Sequence, residues 1–300
     1  MDTIESVYAV LLVIALVLNG IALAGATPLR NFFAPLREWR LILAILALDV
    51  VLVPVVAVGL ASLLGLDEVT RAALVIIAAA SAGPIGIALT RASRGDVPLA
   101  VTTVLGLGVL NLVTVPIVTG VLLPESLPLP PSTIVSSLIG LAVAPLLAGR
   151  VFALLMGRTG VTTERIAAWL ATIGRVADVS LAAAVTVAVL LEPREAIAVL
   201  LGPVSIIAFV VMLTIAVSAR LITPDSGRRR AIIITINARA VGLALTLTAL
   251  HLGDVPGLRT TVLAFGGLTQ AAPILLMLAT RWWRQRARIS QSTPPTSPTR

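Results

Sequence analysis

The segment Ala231 to Leu252, AIIITINARAVGLALTLTALHL, is long and apolar enough to cross a bilayer, yet it carries Asn237, Arg239 and Gly242 near its middle. A guanidinium is costly in hydrocarbon, so Arg239 has to face a protein interior or a water-filled cavity. Any fold open to this chain must therefore bring other segments around that position.

The segment also has an echo earlier in the chain. Gly86-Ile-Ala-Leu-Thr90, Gly95-Asp-Val-Pro98 and Thr102-Thr103 recur as Gly242-Leu-Ala-Leu-Thr246, Gly253-Asp-Val-Pro256 and Thr260-Thr261. The spacing from proline to the threonine pair is kept, and two residues are added before Gly253. In each copy the glycine falls inside a membrane-length segment, Gly83-Pro84-Ile85-Gly86 in the first and Asn237 to Gly242 in the second. Paired segments interrupted by Gly or Pro at corresponding positions of two halves point to the binding site of a secondary transporter.

Composition agrees with a membrane setting. Apolar residues make up 58% of the 300, charged residues 12%, and the mean hydropathy is +1.07, which excludes a soluble domain. With no cysteine, neither disulfides nor thiolate chemistry can contribute. All 22 basic residues are arginine, and the net charge of +8 could suggest nucleic acid. Their placement in alternate loops instead makes them a topology signal, and the partner they imply is a lipid bilayer.

Apolar windows divide the chain into nine spans, near 6–26, 41–64, 69–90, 98–123, 132–156, 172–191, 196–219, 230–251 and 259–282. Arg30, Arg37, Arg40, Arg91, Arg94, Arg150, Arg158, Arg165, Arg220, Arg228, Arg229, Arg230 and the arginines after 280 fall on one side, against Arg71, Arg194 and Arg259 on the other. The positive side is cytoplasmic, so the expectation is an inner-membrane protein with its N-terminus outside and its C-terminus inside. The acidic start, Met-Asp-Thr-Ile-Glu, lacks the basic region of a signal peptide and reads as the first span. Trp282 and Trp283 suit an interfacial belt.

On this count the third and eighth spans run in opposite directions, which makes the repeated motif an inverted repeat. The carrier domain then covers 1–288, with a first repeat at 1–124 and a second at 131–288. The polar, proline-rich tail 289–300 is expected to be disordered and cytoplasmic.

Four ionisable residues stand inside spans: Asp49, Arg175, Asp178 and Arg239. Arg175 and Asp178, three apart and near one end of the sixth window, are expected to snorkel and pair locally. Asp49 lies about 13 Å in from Arg40 by helical rise. It is either a buried carboxylate tied to a backbone or hydroxyl partner, or a ligand for an ion, proton or solute.

At these motifs the chain resembles the bile acid:sodium symporter family and its wider superfamily of bile acid, arsenite and related carriers, over nearly its whole length. The residues carrying the resemblance are SAGPIGIALTRASRGD from Ser81, Val115-Pro116 in the following helix, and Thr235-Ile-Asn-Ala-Arg-Ala-Val-Gly242-Leu-Ala244. The resemblance implies an all-α fold of nine transmembrane helices, an inverted repeat, and two broken helices that cross at mid-bilayer in a core domain beside a panel domain. It implies transport of small organic anions or amphipathic acids by alternating access.

The chain departs from the family where sodium ligands would fall. Gly86-Ile87 stands for Ser-Asn, Thr235 for Glu, Arg239-Ala240 for Gln-Asn, and Asp49 for a Gln before Pro54. A guanidinium at a former cation site supplies positive charge directly, with Asp49 close enough to neutralise it. These changes count against sodium, although unwound backbone carbonyls can coordinate an ion, and they leave a proton titrating Asp49 as the driving ion. No other cofactor is implied. The substrate- or ion-binding positions are then Asp49, Gly86, Ile87, Thr90, Asn111, Thr235, Asn237, Arg239, Gly242 and Gln270, with Asn19, Thr102, Thr114 and Thr119 as further polar residues in spans.

An enzyme is disfavoured: the single histidine, His251, has no second histidine for zinc and no HExxH setting. Missing cysteines count against the arsenite branch. A non-transporting receptor on a carrier scaffold is the rival class.

Overall fold

The structure, a computed structural model, describes residues 3–26, 38–127, 129–271 and 274. The described residues are helical and contain no strand. In lipid this is the arrangement that lets each segment satisfy its own backbone polar groups. The C-terminal tail, Trp282, Trp283 and the arginines at 30, 37 and beyond 280 lie outside the described residues.

In chain order the helices are α1 (Thr3–Ala26), α2 (Trp39–Leu63), α3 (Glu68–Ala79), α4 (Ile85–Ala92), α5 (Val97–Leu122), α6 (Pro131–Arg158), α7 (Thr163–Leu191), α8 (Pro193–Leu201), α9 (Pro203–Ile222), α10 (Ser226–Asn237), α11 (Val241–His251) and α12 (258–271). Among the described residues, seven stretches are long and apolar enough to cross a membrane: α1, α2, α5, α6, α7, α9, and α10 with α11. The window at 69–90 is two half-helices, α3 and α4, separated by residues 80–84. The last window opens as α12, and its remainder lies outside the described residues.

Local chemistry sets these boundaries. Carboxylates at Asp67, Asp96 and Asp225 accept from the backbone N–H three residues on, capping α3, α5 and α10 at 2.9, 3.0 and 2.7 Å. Proline opens α6, α8 and α9, where its fixed φ suits the first turn and no N–H is missed. Inside α2 and α6 the prolines Pro54 and Pro145 follow π-helical turns at Ala47–Leu52 and Ile139–Val143. A widened turn accommodates a residue that cannot donate and whose ring crowds the preceding carbonyl.

Two windows need correction. The sixth, expected at 172–191, belongs to a helix that starts at Thr163, capped by Thr162. Its amphipathic first turns fall below the hydropathy of a span although the helix runs through them. The seventh, expected at 196–219, is divided at Gly202-Pro203 into α8 and α9.

The helices pack in two groups. α1 lies along α7 and α6, while α2, α3, α4, α5, α9 and α10 pack among themselves; α11 bridges the two by packing on both α1 and α3, and α5 meets α6. Close approach in the first group depends on Gly149: a Cβ there would collide with the Ile21 carbonyl oxygen. The α10–α11 stretch is the centre of the second group, with 83% of its apolar window buried, whereas the other six spans bury 17 to 44% and turn the rest outward. Residues such as Val121, Val179 and Leu221 form that outward apolar surface.

Charged clusters mark the two ends of the bundle. At one, Arg228 makes a two-pronged bond to Glu38 at 2.6 and 2.7 Å and stands 3.8 Å from Asp96. At the other, Arg259 pairs with Glu192 at 2.5 Å and lies over the Tyr8 ring.

Candidate functional site

The break between α10 and α11 is made by two successive inverse γ-turns. Ala238 and Ala240 have φ, ψ near −77, 67 and −76, 64, and the N–H groups of Arg239 and Val241 bond to the carbonyls of Asn237 and Arg239 at 2.9 and 2.8 Å. Small alanines on both sides of Arg239 let the chain fold this tightly inside the protein.

The opposing break, residues 80–84, lies directly against it. Gly83 N–H donates to the Ala238 carbonyl at 2.5 Å, and Ala240 N–H donates to the Ala80 carbonyl at 3.3 Å. Glycine is required at 83, since a Cβ would approach the Arg239 carbonyl oxygen to 2.8 Å. Gly86 extends the contact onto the Thr235 backbone. The crossing is therefore lashed backbone to backbone, which is how unwound segments satisfy their polar groups at such depth.

Arg239 is the largest fully buried side chain of the crossing, 1% exposed. Its Nη1 stands 2.7 Å from Asp49 Oδ1 and donates to the Ala78 carbonyl at 3.1 Å. Ala78 belongs to the last turn of α3, where carbonyls lack helical partners, so the guanidinium also caps that half-helix at its negative end. Asp49 is fully buried on the π-helical turn of α2, with Ser81 beside it. The Arg239 carbonyl accepts from Gln270 Nε2 of α12 at 3.0 Å. One residue thus ties α2, α3 and α12 to the crossing.

A cavity of about 280 Å³ lies between the two helix groups, beside the crossing. Asn19 of α1, Asn111 of α5, Asp178 of α7, the segment 239–243 and Gln270 contribute to its otherwise apolar wall. The first turns of α4 and α11 open onto it through Ile85, Val241 and Gly242.

The sequence-predicted positions divide here. Asn111, Arg239, Gly242 and Gln270 line the cavity, and Asp49 stands behind Arg239. Gly86, Ile87, Thr90, Thr235 and Asn237 are not in its wall. Thr235 Oγ1 donates back to the Ala231 carbonyl at 2.7 Å, and Asn237 Nδ2 to the Ile233 carbonyl at 2.8 Å, so both spend donors within their own helix. Ile87 packs with Ala82, Val104 and Leu107, and Thr90 is buried against Gly95. Thr114 and Thr119 bond to carbonyls one turn back.

Asp178 and Arg175 do not form the expected pair. Arg175 donates to Thr172 Oγ1 at 3.1 Å, and no ion pair among the described residues includes Asp178. Because α7 starts at Thr163, Asp178 sits about 22 Å along a helix of 29 residues, near its middle. The helix start was the missing signal, and the Thr162 and Glu164 capping pattern carries it.

No curated protein matches the chain. The sequence model of the SBF-like CPA transporter family matches residues 2–265, nearly all of the chain and every element of the site except Gln270. With two interrupted helices crossing beside a cavity inside an all-helical membrane bundle, the chain belongs to the SBF-like CPA transporter family.

Proposed function

We propose that this protein is a secondary transporter that moves a small organic anion across the cell membrane by alternating access. The observation that carries the reading is the meeting of two half-helix N-termini, of α4 and α11, on the wall of one cavity. Such termini present the positive end of a helix dipole, and transporters use them to hold anionic groups at mid-membrane. The apolar remainder of the wall suits the body of an organic solute.

The reading includes nine spans, counting α3 with α4 as one and α12 as the start of another. It also includes an inverted repeat that relates the two crossing segments. The arginine asymmetry supports an N-terminus outside and a C-terminus in the cytoplasm. The Arg239–Asp49 pair stands where a coupling sodium would otherwise supply charge, so uptake is independent of sodium, and Asp49 is the site of a driving proton.

Uptake of labelled organic acids into proteoliposomes, with imposed sodium or proton gradients, tests this. Uptake that responds to a proton gradient and ignores sodium is the expected result. Steep sodium dependence overturns the coupling assignment, and binding without any flux favours a receptor.

A further inference from the structure

The charge of the cavity wall is not set by Arg239. The guanidinium is 1% exposed and already paired with Asp49, so the two together add no net charge and are closed off from a solute. What remains is polarised across the cavity. On one side stand the N-termini of α4 and α11, each equivalent to roughly half a positive charge. On the other, from the α1, α6 and α7 group, stands the Asp178 carboxylate, with no cationic partner among the described residues. Asn111 of α5, on the side of α4 and α11, is 4% exposed, and its Oδ1 has no hydrogen-bond donor, so the wall there holds a second unmatched polar group.

The wall therefore offers positive potential at one pole, and an unpaired carboxylate at the other. A simple organic anion would answer the first pole and leave an intramembrane carboxylate facing it, which costs affinity through like-charge repulsion. We propose that the solute is a zwitterion: an organic acid that also carries an ammonium group, with the acid end at the α4 and α11 N-termini and the ammonium end on Asp178. The proposal rests on the transport reading for the acid end and adds the cationic end. An ammonium has three donors and no acceptor, which matches the carboxylate. It also brings the summed charge of the solute to zero, matching a wall whose poles cancel.

The test uses the full-length protein in nanodiscs and three probes of one length: 6-aminohexanoate, hexanoate and hexylammonium. Calorimetry on the wild-type protein is expected to show 6-aminohexanoate binding at least tenfold more tightly than either singly charged probe. In Asp178→Asn that advantage over hexanoate disappears, and in Asp178→Glu it returns, which a merely structural aspartate would not produce. Thermal unfolding of the variants establishes that they are folded. Hexanoate binding as tightly as 6-aminohexanoate to the wild type overturns the proposal, as does an advantage that survives Asp178→Asn or absence of binding by all three probes. The transport reading fails separately: 6-aminohexanoate bound with the expected charge preference but showing no counterflow in proteoliposomes removes transport and leaves the zwitterion site. Counterflow of hexanoate at the same rate as 6-aminohexanoate in the wild type does the reverse.

Discussion

Arg239 Nη1 and Asp49 Oδ1 are 2.7 Å apart with both side chains buried, one on the turn between α10 and α11 and the other on a π-helical turn of α2. Charges in such a place hold only as a pair, because each leaves an uncompensated ion if its partner is removed. Arg239→Gln and Asp49→Asn are each expected to cost about 3–5 kcal/mol of stability. The joint replacement Arg239→Met with Asp49→Leu recovers most of that loss. Thermal unfolding in detergent measures the cycle. Additive losses in the double variant would show that the two residues act independently.

A second prediction concerns the crossing of the two breaks. Gly83→Ala forces a Cβ to 2.8 Å from the Arg239 carbonyl oxygen, and backbone on both sides leaves little room to relax. A loss of about 1–3 kcal/mol is expected, as for overpacked cores. Gly59 of α2 is the control, since nothing lies within 4 Å of a Cβ built there. Gly59→Ala should gain about 0.5–1 kcal/mol from its helical backbone. Equal effects at the two positions would remove the argument from close approach.

The Asp67 cap gives a pH dependence. Partial burial pushes its carboxyl up, but bonds from the Thr70 N–H and hydroxyl, at 2.9 and 2.7 Å, outweigh this and hold it below the usual carboxylate range. A group depressed by folding contributes stability above its unfolded value, and that contribution is lost as pH falls through the folded one. Asp67→Ala is expected to cost about 1 kcal/mol at neutral pH. The difference from wild type should shrink in acid; a difference constant between neutral pH and pH 2 would contradict the cap.

Topology can be read directly, because the chain has no cysteine to remove. A single cysteine at position 158 should escape an impermeant thiol reagent added outside intact cells, whereas one at position 125 should react. The reverse pattern would invert the assignment made from the arginines.

Much of the site was legible in the sequence because charge inside an apolar window has few places to go. Arg239 and Asp49 are two such charges of opposite sign, and Gly83-Pro84 and Asn237 to Gly242 mark the breaks that bring them together. The crossing is centred at 80–86 because most of its backbone contacts are made by residues that leave α3, ahead of the proline. The roles of Thr235 and Asn237 were not legible: a hydroxyl or amide in a span can turn to a neighbour or back onto its own helix, and the choice depends on packing. Asp178 was placed near a helix end because hydropathy locates apolar surface and not the hydrogen-bonded turn at Thr162 where α7 begins.

The internal neutralisation of Arg239 has an electrical consequence. A carrier that holds a bare cation at its crossing must move that charge through the membrane potential, at about 2.3 kcal/mol per elementary charge per 100 mV. Here the positive charge travels with Asp49 at 2.7 Å, so the crossing as a body moves no net charge. Under the proposed alternating access, reorientation of the empty protein therefore draws no gating charge from the crossing, and any charge the protein itself moves belongs to groups such as Asp178.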